Sequence, residues 1–310
     1  MGIEHIVDPD DPRLGDYRDL LLHPEPRRER GMFVAEGREI VGRLLEAGRF
    51  STRSVLVTAA GLEALGERFA AHPALPVYVA PSSILRAVVG YKFHLGCLAV
   101  AERPPAFAPA ALIDPPGPRL VVALEHLTDP DNVGSVFRNA LAFGAHALLL
   151  SARCADPLYR KAIRTSVGAS LIVPFARLDA WADGLARLRD AGYTLVALTP
   201  EATAVGENAD HGPGAPIRGG ARRLDESADH RSGVPIRSGE RRLDIAAFST
   251  ERPRLERVAL FVGAEGAGLS AETRASADVL VSIPMAPGVD SLNVATAAGI
   301  ALHRLGRAAP

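Results

Sequence analysis

The chain has 310 residues, 47% of them hydrophobic and 23% charged, which is typical of a globular protein long enough for two domains. Its formal net charge of −1 gives no overall attraction to a polyanion, so any contact with nucleic acid depends on local basic patches. We find no apolar signal core at the N-terminus and no apolar run of the ~18 residues that a membrane span needs. We therefore expect a cytoplasmic protein. The two cysteines, Cys97 and Cys154, are expected to be reduced thiols rather than ligands of a zinc site.

The N-terminal third is predicted to form a small α/β domain over residues 12–103. Strand-like runs lie at 54–58, 77–80 and 96–101, with helical patterns at 38–46 and 62–71. The following residues, 104–118, are rich in proline, so we expect a linker there instead of a regular element.

The remaining residues, 119–310, are predicted to form a second α/β domain. Apolar runs alternate there with helical patterns, at 120–124, 147–151, 194–199, 258–263 and 279–285. Continuously apolar strands separated by helices indicate a parallel sheet that is covered on both faces. The predicted fold class is thus α/β, with a doubly wound parallel sheet in the second domain.

A tandem duplication interrupts this second domain. Residues 209–227 are followed by a related copy at 228–244, and both contain ADH, PIR and RRLD in the same register. The copies are rich in Gly, Pro and Arg and poor in large apolar residues, so they bury too little surface to offset the entropy of ordering. We expect a flexible surface insertion at 209–244.

Three segments of the second domain contain residues suited to chemistry. In the first, 124–151, Asn132 is placed to cap a helix whose apolar positions recur at helical spacing. Arg138 lies off that apolar stripe and points back toward the Asn132 loop, at the carboxyl end of a strand, where open α/β sheets bind ligands. The alternative is a solvated arginine and a helix cap without further function.

The second segment, 259–270, surrounds Glu265 with glycines at 263, 266 and 268 after a buried type of strand. Glycines there allow the backbone to approach a ligand closely. The order of the glycines differs from that of a dinucleotide-binding fingerprint, and no acidic residue ends a following strand about 20 residues on. A nucleotide-dependent oxidoreductase is therefore a weak alternative, and Glu265 could also simply cap the next helix.

The third segment, 280–305, runs from a strand through a Pro/Gly loop to Ser291, Leu292 and Asn293, which we expect to open a helix. That helix is rich in alanine and glycine, so its backbone can approach a neighbour closely. A tight core, a subunit interface or a well-packed terminal helix capped by Ser291 would each account for it.

Taken together, these segments resemble the three motifs of the SpoU family of 2′-O-ribose RNA methyltransferases, in the knotted SPOUT superfamily. The matching stretches are DPDNVGSVFRNALAFGA at 129–145, FVGAEGAGLS at 261–270 and IPMAPGVDSLNVATAAGIAL at 283–302. RTSVGASLIVP at 164–174 also matches an R-x-S-x-G-A stretch of the family. The resemblance implies a deep trefoil knot in the C-terminal half and S-adenosyl-L-methionine as the methyl donor.

The resemblance also implies roles for individual residues. The expected active-site residues are Asn132, Arg138, Glu265, Ser291 and Asn293. The expected cofactor-binding residues are Leu198, Thr199, Gly263, Ile283 and Leu292. No metal is expected to take part.

The N-terminal domain is similar to the RNA-recognition domain found in this family, through FVAEGREIVGRLLEAG at 33–48 and HLGCLAVAERP at 94–104. Its candidate phosphate contacts are Arg27, Arg28, Arg30, Arg38 and Lys92. The resemblance implies a homodimer that acts on RNA, with ribosomal RNA favoured and transfer RNA as the alternative. A catalytically inactive RNA-binding or ribosome-associated protein with the same knotted fold is the competing interpretation.

Overall fold

The computed structural model describes residues 2–18, 20, 30–91, 93–200, 242–251 and 255–306. Within these ranges the strands form two separate sheets. The strands are β1 (Gly2–His5), β2 (Met32–Glu36), β3 (Thr52–Val57), β4 (Pro76–Val79), β5 (Cys97–Glu102), β6 (Arg119–Glu125), β7 (Ala147–Ser151), β8 (Phe175–Leu178), β9 (Thr194–Leu198), β10 (Arg242–Asp244), β11 (Arg257–Gly263) and β12 (Val279–Ser282).

Helices cover both faces of each sheet. They are α1 (a 3-10 helix, Pro12–Tyr17), α2 (Arg38–Ala47), α3 (Ala59–Ala70), α4 (Ser82–Val89), α5 (Pro109–Ile113), α6 (Pro130–Ala142), α7 (Arg160–Thr165), α8 (Ala169–Ile172), α9 (Trp181–Asp190), α10 (Ile245–Glu251), α11 (Ala271–Ser276) and α12 (Val294–Leu305).

The N-terminal sheet has the strand order β1-β4-β3-β5-β2 in the described residues. Strands β1, β4 and β3 are parallel, whereas β5 runs antiparallel to both β3 and β2. The sequence pattern missed β2 at Met32–Glu36, in which all five residues are buried, since a short apolar run next to a helix has no periodicity of its own. The sheet also begins earlier than the predicted boundary at residue 12, because β1 pairs with β4.

The second sheet is parallel throughout, in the order β10-β12-β9-β11-β6-β7-β8. Alternate residues of its central strand β6 belong to different cores: Val122 packs with α6 and α12, and Val121 packs on the other face with α5 and α9. This is the doubly wound α/β architecture that the apolar runs predicted. The predicted apolar stripe of α6 is confirmed as well, since Val133, Val136, Phe137 and Ala140 are fully buried.

The segment predicted to be a linker contains the short helix α5, so that prediction was wrong for Pro109–Ile113. Pro109 occupies the first turn of α5, where a missing backbone N–H breaks no helical hydrogen bond. Leu112 and Ile113 are buried in the core on one face of the second sheet. The segment thus packs against the sheet while it connects the two domains.

The duplicated insertion lies mostly outside the described residues, but its last three residues do not. Arg242–Asp244 form strand β10, which pairs in parallel with β12 at the edge of the second sheet. The boundary predicted at residue 244 was therefore too late. Leu243 of β10 packs against the core that also buries Ile245 and Phe248 of the following helix α10.

The two domains contact each other through β2 and α2 on one side and α7 and α8 on the other. Leu158, Ile163 and Leu171 of the second domain are buried in the same apolar cluster as Phe33 and Val41 of the first. Both cysteines, Cys97 and Cys154, are buried free thiols. In the part of the chain that the structure describes, no helix is long and apolar enough to cross a membrane.

Candidate active site

The first segment of the site is the turn between β6 and α6. The sequence suggested Asn132 as the helix cap, but the cap is Asp129, whose carboxylate accepts a hydrogen bond of 2.9 Å from the backbone N–H of Asp131. Pro130 then begins α6, as proline commonly does. Asn132 consequently lies inside the first turn, where its side chain is buried and free to bind a distant residue.

Acidic residues at this turn are neutralised by α7. The Lys161 ammonium lies 2.9 Å from the Asp131 carboxylate and 3.8 Å from that of Asp129. The hydroxyl of Thr165 also donates to Asp131 at 2.8 Å. The hydrogen bond from Lys161 lowers the pKa of Asp131 below its ordinary value, so this carboxylate stays ionised and paired.

The second segment is a tight loop that follows β11. The backbone N–H of Gly268 donates to the Ala264 carbonyl at 2.9 Å, which folds residues 264–268 back on themselves. A Cβ on Gly263 would lie 2.3 Å from the Gly268 carbonyl carbon and 2.4 Å from the Leu269 nitrogen. Only glycine allows this approach of backbone to backbone. The loop directs the carboxylate of Glu265 toward α6.

The third segment ends in Asn293, which caps α12. Its side-chain oxygen accepts hydrogen bonds from the backbone N–H groups of Ala295 at 3.0 Å and Thr296 at 3.2 Å. Asn293 rather than Ser291 therefore opens this helix, and Ser291 is exposed in the preceding loop. Because the oxygen of Asn293 serves the cap, its amide nitrogen faces the other two segments.

These three segments meet in a triangle of side chains. The amide nitrogen of Asn132 donates to the Glu265 carboxylate at 2.8 Å. The amide nitrogen of Asn293 donates to the Asn132 oxygen at 3.2 Å and lies 3.3 Å from the same Glu265 oxygen. Each of the three residues comes from a different segment, so the triangle fixes the loops relative to one another.

A cavity of about 540 Å³ opens beside this triangle, a size typical of small-molecule sites. Apolar side chains and the backbone of the 264–268 loop form most of its wall. All five predicted cofactor-binding residues line it: Leu198, Thr199, Gly263, Ile283 and Leu292. Three of the predicted active-site residues line it as well: Glu265, Ser291 and Asn293. Sequence reasoning missed Met285 and Asp290, which also line the cavity, because a Pro/Gly loop has no periodicity that indicates which side chains point inward.

Arg138 lies in a separate, adjoining cleft of about 730 Å³ between α6 and α12. Thr165, Thr296 and His303 line this cleft with it, and Asn293 lines both the cleft and the cavity. Arg138 is exposed, and within the described residues its guanidinium has no hydrogen bond or ion pair. Arg138 is thus absent from the wall of the cavity, and Asn293 is the predicted residue that lines both spaces.

A hydrogen bond between the two helices sets the width of this cleft. The amide of Asn139, next to Arg138, donates to the Ala295 carbonyl in the first turn of α12 at 2.8 Å. A Cβ on Gly299 would come within 2.9 Å of the Asn139 amide nitrogen, so the small residue there permits the contact. The sequence did not single out Asn139, although its place beside Arg138 on a helix edge was a usable signal.

The predicted phosphate contacts of the N-terminal domain are described only in part. Arg27, Arg28 and Lys92 lie outside the described residues. Arg38 is exposed at the start of α2 and lines neither the cavity nor the cleft. Arg30 forms an ion pair of 3.1 Å with Asp16. Across the described ranges, no group of three or more His, Cys, Asp or Glu side chains is arranged to hold a metal ion.

Comparison with known proteins shows the family to which the chain belongs. The model of the SpoU rRNA methylase family matches residues 119–303, which include all three segments. The chain belongs to the SpoU rRNA methylase family. An uncharacterized tRNA/rRNA methyltransferase of Mycobacterium tuberculosis (strain H37Rv) is 37% identical over 306 residues, which cover 98% of this chain and 91% of the relative. The chain is thus an RNA methyltransferase of the SpoU family by descent.

Two solved structures share the fold over both domains. The SpoU methyltransferase AviRb of Streptomyces viridochromogenes superposes with a TM-score of 0.69 at 25% identity, over 94% of this chain and 95% of AviRb. An AdoMet-bound rRNA methyltransferase of Sinorhizobium meliloti gives a TM-score of 0.72 at 24% identity, over 98% and 97% of the two chains. The predicted family and fold class are thereby confirmed.

Proposed function

We propose that this SpoU family member transfers a methyl group from S-adenosyl-L-methionine to a ribose 2′-hydroxyl in RNA, with ribosomal RNA as the favoured target. The observation that carries the proposal is the pair of adjoining spaces that share Asn293. One is a small-molecule cavity lined by the five expected cofactor residues, and the other is an open cleft with the guanidinium of Arg138, which pairs with none of the described residues.

The cavity suits the proposed donor in size and in the character of its wall. Leu198, Ile283 and Leu292 offer an apolar surface for an adenine ring, and Gly263 and Thr199 complete this part of the wall. S-adenosyl-L-methionine supplies a methyl group on a sulfonium, which an oxygen nucleophile displaces in line. The chain must therefore hold the ribose oxygen on the side of the cavity that faces the methyl group.

Arg138 is the residue best placed to hold the RNA. A guanidinium binds phosphate bidentately through two parallel N–H groups, and that of Arg138 is exposed and not engaged by any described residue. A guanidinium is not deprotonated in proteins, so we do not assign Arg138 the role of a general base. We infer that Arg138 binds the phosphate next to the target ribose and stabilises the alkoxide that develops, while the proton leaves through phosphate or water.

Asn293 and Glu265 align the cavity with the adjoining cleft. Asn293 contacts both spaces, and its bonds to Asn132 and Glu265 hold the start of α12 against the start of α6. Ser291, exposed at the rim of the cavity, is positioned to contact the ribose. Fixing two reactants within about 3–3.5 Å can contribute roughly 7–11 kcal/mol to catalysis, so alignment of this kind is the main task of the protein.

The assignment of the target is supported by the family and its relatives. The family is described as one of rRNA methylases, which favours ribosomal RNA. The M. tuberculosis relative is described as a tRNA/rRNA methyltransferase, which keeps transfer RNA as the second candidate. The family resemblance further supports a knotted chain and a homodimer, and light scattering of the purified protein tests the latter.

The proposal is tested by incubating the protein with methyl-labelled S-adenosyl-L-methionine and total RNA from cells that lack it. Label in a dinucleotide that resists alkaline hydrolysis is the expected result, because a 2′-O-methyl group blocks cleavage of the adjacent phosphodiester. Separation of ribosomal from transfer RNA before counting assigns the target. Label that appears only in alkali-sensitive nucleotides would indicate base methylation and contradict the proposal. Donor binding without any transfer would favour the catalytically inactive RNA-binding alternative.

A further inference from the structure

Glu125, the last residue of β6, has a buried carboxylate that the proposed reaction does not use. Its exposed fraction is 2%, at the carboxyl end of the central strand. In the described residues it forms no ion pair. Burying a carboxylate without a hydrogen bond or an ion pair is costly. We therefore expect Glu125 to bind a specific group at this edge of the sheet.

Among the residues that the structure describes, the side chain of Glu125 is bound by one backbone amide. The N–H of Ser270 donates to Glu125 Oε2 at 3.0 Å, across 145 positions of sequence. The hydroxyl of Ser270 is engaged separately, since it caps α11 by accepting from the N–H of Thr273 at 3.1 Å. Ser270 is thus engaged through two different atoms, its N–H by Glu125 and its hydroxyl by Thr273.

Ser270 ends the loop that forms one wall of the donor cavity. Gly263, at the other end of this loop, is the residue that faces Glu125 in the pairing of β11 with β6. The backbone at Gly268 and Leu269 packs directly on Gly263. The loop is therefore fixed at its start by the strand and at its end by the carboxylate, with Glu265 between the two anchors.

We propose that Glu125 is a positioning residue for the methyl donor: its carboxylate holds the amide of Ser270, and thereby keeps the 264–269 loop in the conformation that completes the cavity. This inference rests on the proposed function, because the conformation of the loop would affect catalysis through the binding of the methyl donor. Glu125 does not touch the cavity and takes no part in the transfer itself.

The test compares Glu125→Leu with Glu125→Gln. Leucine fills a similar volume but accepts no hydrogen bond, whereas the glutamine oxygen can still accept from Ser270. Without donor, we expect hydrogen exchange at the Ser270 amide to be about tenfold faster in Glu125→Leu and close to wild type in Glu125→Gln, since an unpaired buried amide loses the protection of its bond. In calorimetry, Kd for S-adenosyl-L-methionine should rise about tenfold in the leucine variant only.

Glu272→Leu is the matched control, because Glu272 is an exposed acid on α11 just two residues beyond Ser270. It should change neither exchange nor donor affinity. Wild-type exchange and affinity in Glu125→Leu would overturn the inference. Equal losses in the glutamine and leucine variants would also overturn it, since charge rather than the hydrogen bond would then be responsible.

A second pair of variants covers the case in which Glu125→Leu does not fold. Ser270 has φ −59°, which proline can adopt, so Ser270→Pro and Ser270→Ala both lack the hydroxyl while only the proline variant lacks the N–H. We expect about tenfold weaker donor binding in Ser270→Pro than in Ser270→Ala, and equal binding would overturn the inference. If wild-type protein binds no donor, the proposed function fails, and hydrogen exchange at Ser270 in the Glu125 variants still decides whether the anchor exists.

Discussion

The side-chain amide of Asn132 donates a hydrogen bond of 2.8 Å to Glu265, although the two residues are 133 positions apart in the chain. Asn132 is buried in the first turn of α6, and Glu265 extends from an exposed loop after β11. The bond joins two of the three segments that form the site. Its direction is fixed, because an ionised carboxylate can only accept.

Replacement of the Asn132 amide by a carboxylate should turn its attraction to Glu265 into repulsion. In Asn132→Asp, two carboxylates face each other, and the repulsion raises the pKa of the introduced acid above its unfolded value of about 3.9. We expect a loss of about 1 kcal/mol in the free energy of unfolding at pH 8, at the low end of the usual range because Glu265 is exposed. The loss should shrink as the pH falls toward the raised pKa, where the protonated acid can donate.

Urea unfolding of wild type and Asn132→Asp at pH 5.5 and pH 8 measures this difference. Adding Glu265→Gln to the variant supplies a new amide donor opposite the new carboxylate and should restore most of the stability. A loss that is the same at both pH values, or that the second change does not relieve, would show that the Asn132–Glu265 bond is not the cause.

Gly263→Ala should damage the fold and the donor cavity together. The new methyl group would meet the backbone of Gly268 and Leu269, and overpacking of this kind costs roughly 1–3 kcal/mol. We expect a lower urea midpoint and weaker binding of S-adenosyl-L-methionine. Gly66→Ala is the control, since Gly66 lies in helix α3 with open space around it and should become more stable by about 0.5–1 kcal/mol. Full donor affinity in Gly263→Ala would contradict the role assigned to the loop.

Much of the fold could be predicted from local patterns, and the reasons are visible in particular elements. The apolar runs that became β6, β7, β9, β11 and β12 are continuous because both faces of the sheet are covered. Strand β8, Phe175–Leu178, was missed because its burial alternates over only four residues. Helix α5 was missed because proline suggests a break, even though it is well tolerated in a first turn.

The candidate site was harder to predict, because its contacts join residues far apart in sequence. The sequence alone suggested the candidate site residues, but it did not predict that Asp129 rather than Asn132 would cap α6. It also did not predict that Arg138 would line a separate cleft that shares Asn293 with the cavity. The first outcome depends on the local conformation of the turn before α6, whereas the second depends on the distance between α6 and α12, which only tertiary packing determines. The trefoil knot remains a prediction of the family resemblance.

The domain interface contains a buried ion pair that should be sensitive to removal of one partner. Arg160 of α7 lies 2.8 Å from the carboxylate of Glu36 at the end of β2, and their side chains are 14% and 4% exposed. Arg160 also donates to the Tyr91 hydroxyl at 2.8 Å. Arg160→Met leaves the Glu36 carboxylate buried without its ion-pair partner. We therefore expect the free energy of unfolding, measured with urea, to fall by about 3–5 kcal/mol.

The control for this prediction is Arg187→Met, which breaks the ion pair of Arg187 with Asp114 at the surface, where both side chains are about half exposed. It should cost about 1 kcal/mol or less. Combining Arg160→Met with Glu36→Leu removes both charges and should recover most of the lost stability. Equal effects of Arg160→Met and Arg187→Met would mean that the interface does not bury the Glu36 charge.

Arg138→Lys should lower methyl transfer to RNA without changing the affinity for the methyl donor. Lysine keeps the positive charge but not the two parallel N–H groups of the guanidinium. We expect transfer to RNA to fall about tenfold or more, because one charged hydrogen bond contributes roughly 1.5–3 kcal/mol. Donor affinity should stay unchanged, since Arg138 does not line the cavity. Arg187→Lys, on α9 across the sheet, serves as the control, and near wild-type transfer by Arg138→Lys would refute bidentate phosphate binding.

The most direct test of the account is a crystal structure of the wild-type protein with S-adenosyl-L-methionine, in which the position of the donor methyl carbon is measured. We predict that the adenine and sulfonium lie in the cavity lined by Gly263, Ile283 and Leu292, with the methyl carbon on the Asn293 side, facing the cleft that contains Arg138. A donor bound elsewhere, or one whose methyl group points away from that cleft, would contradict the account.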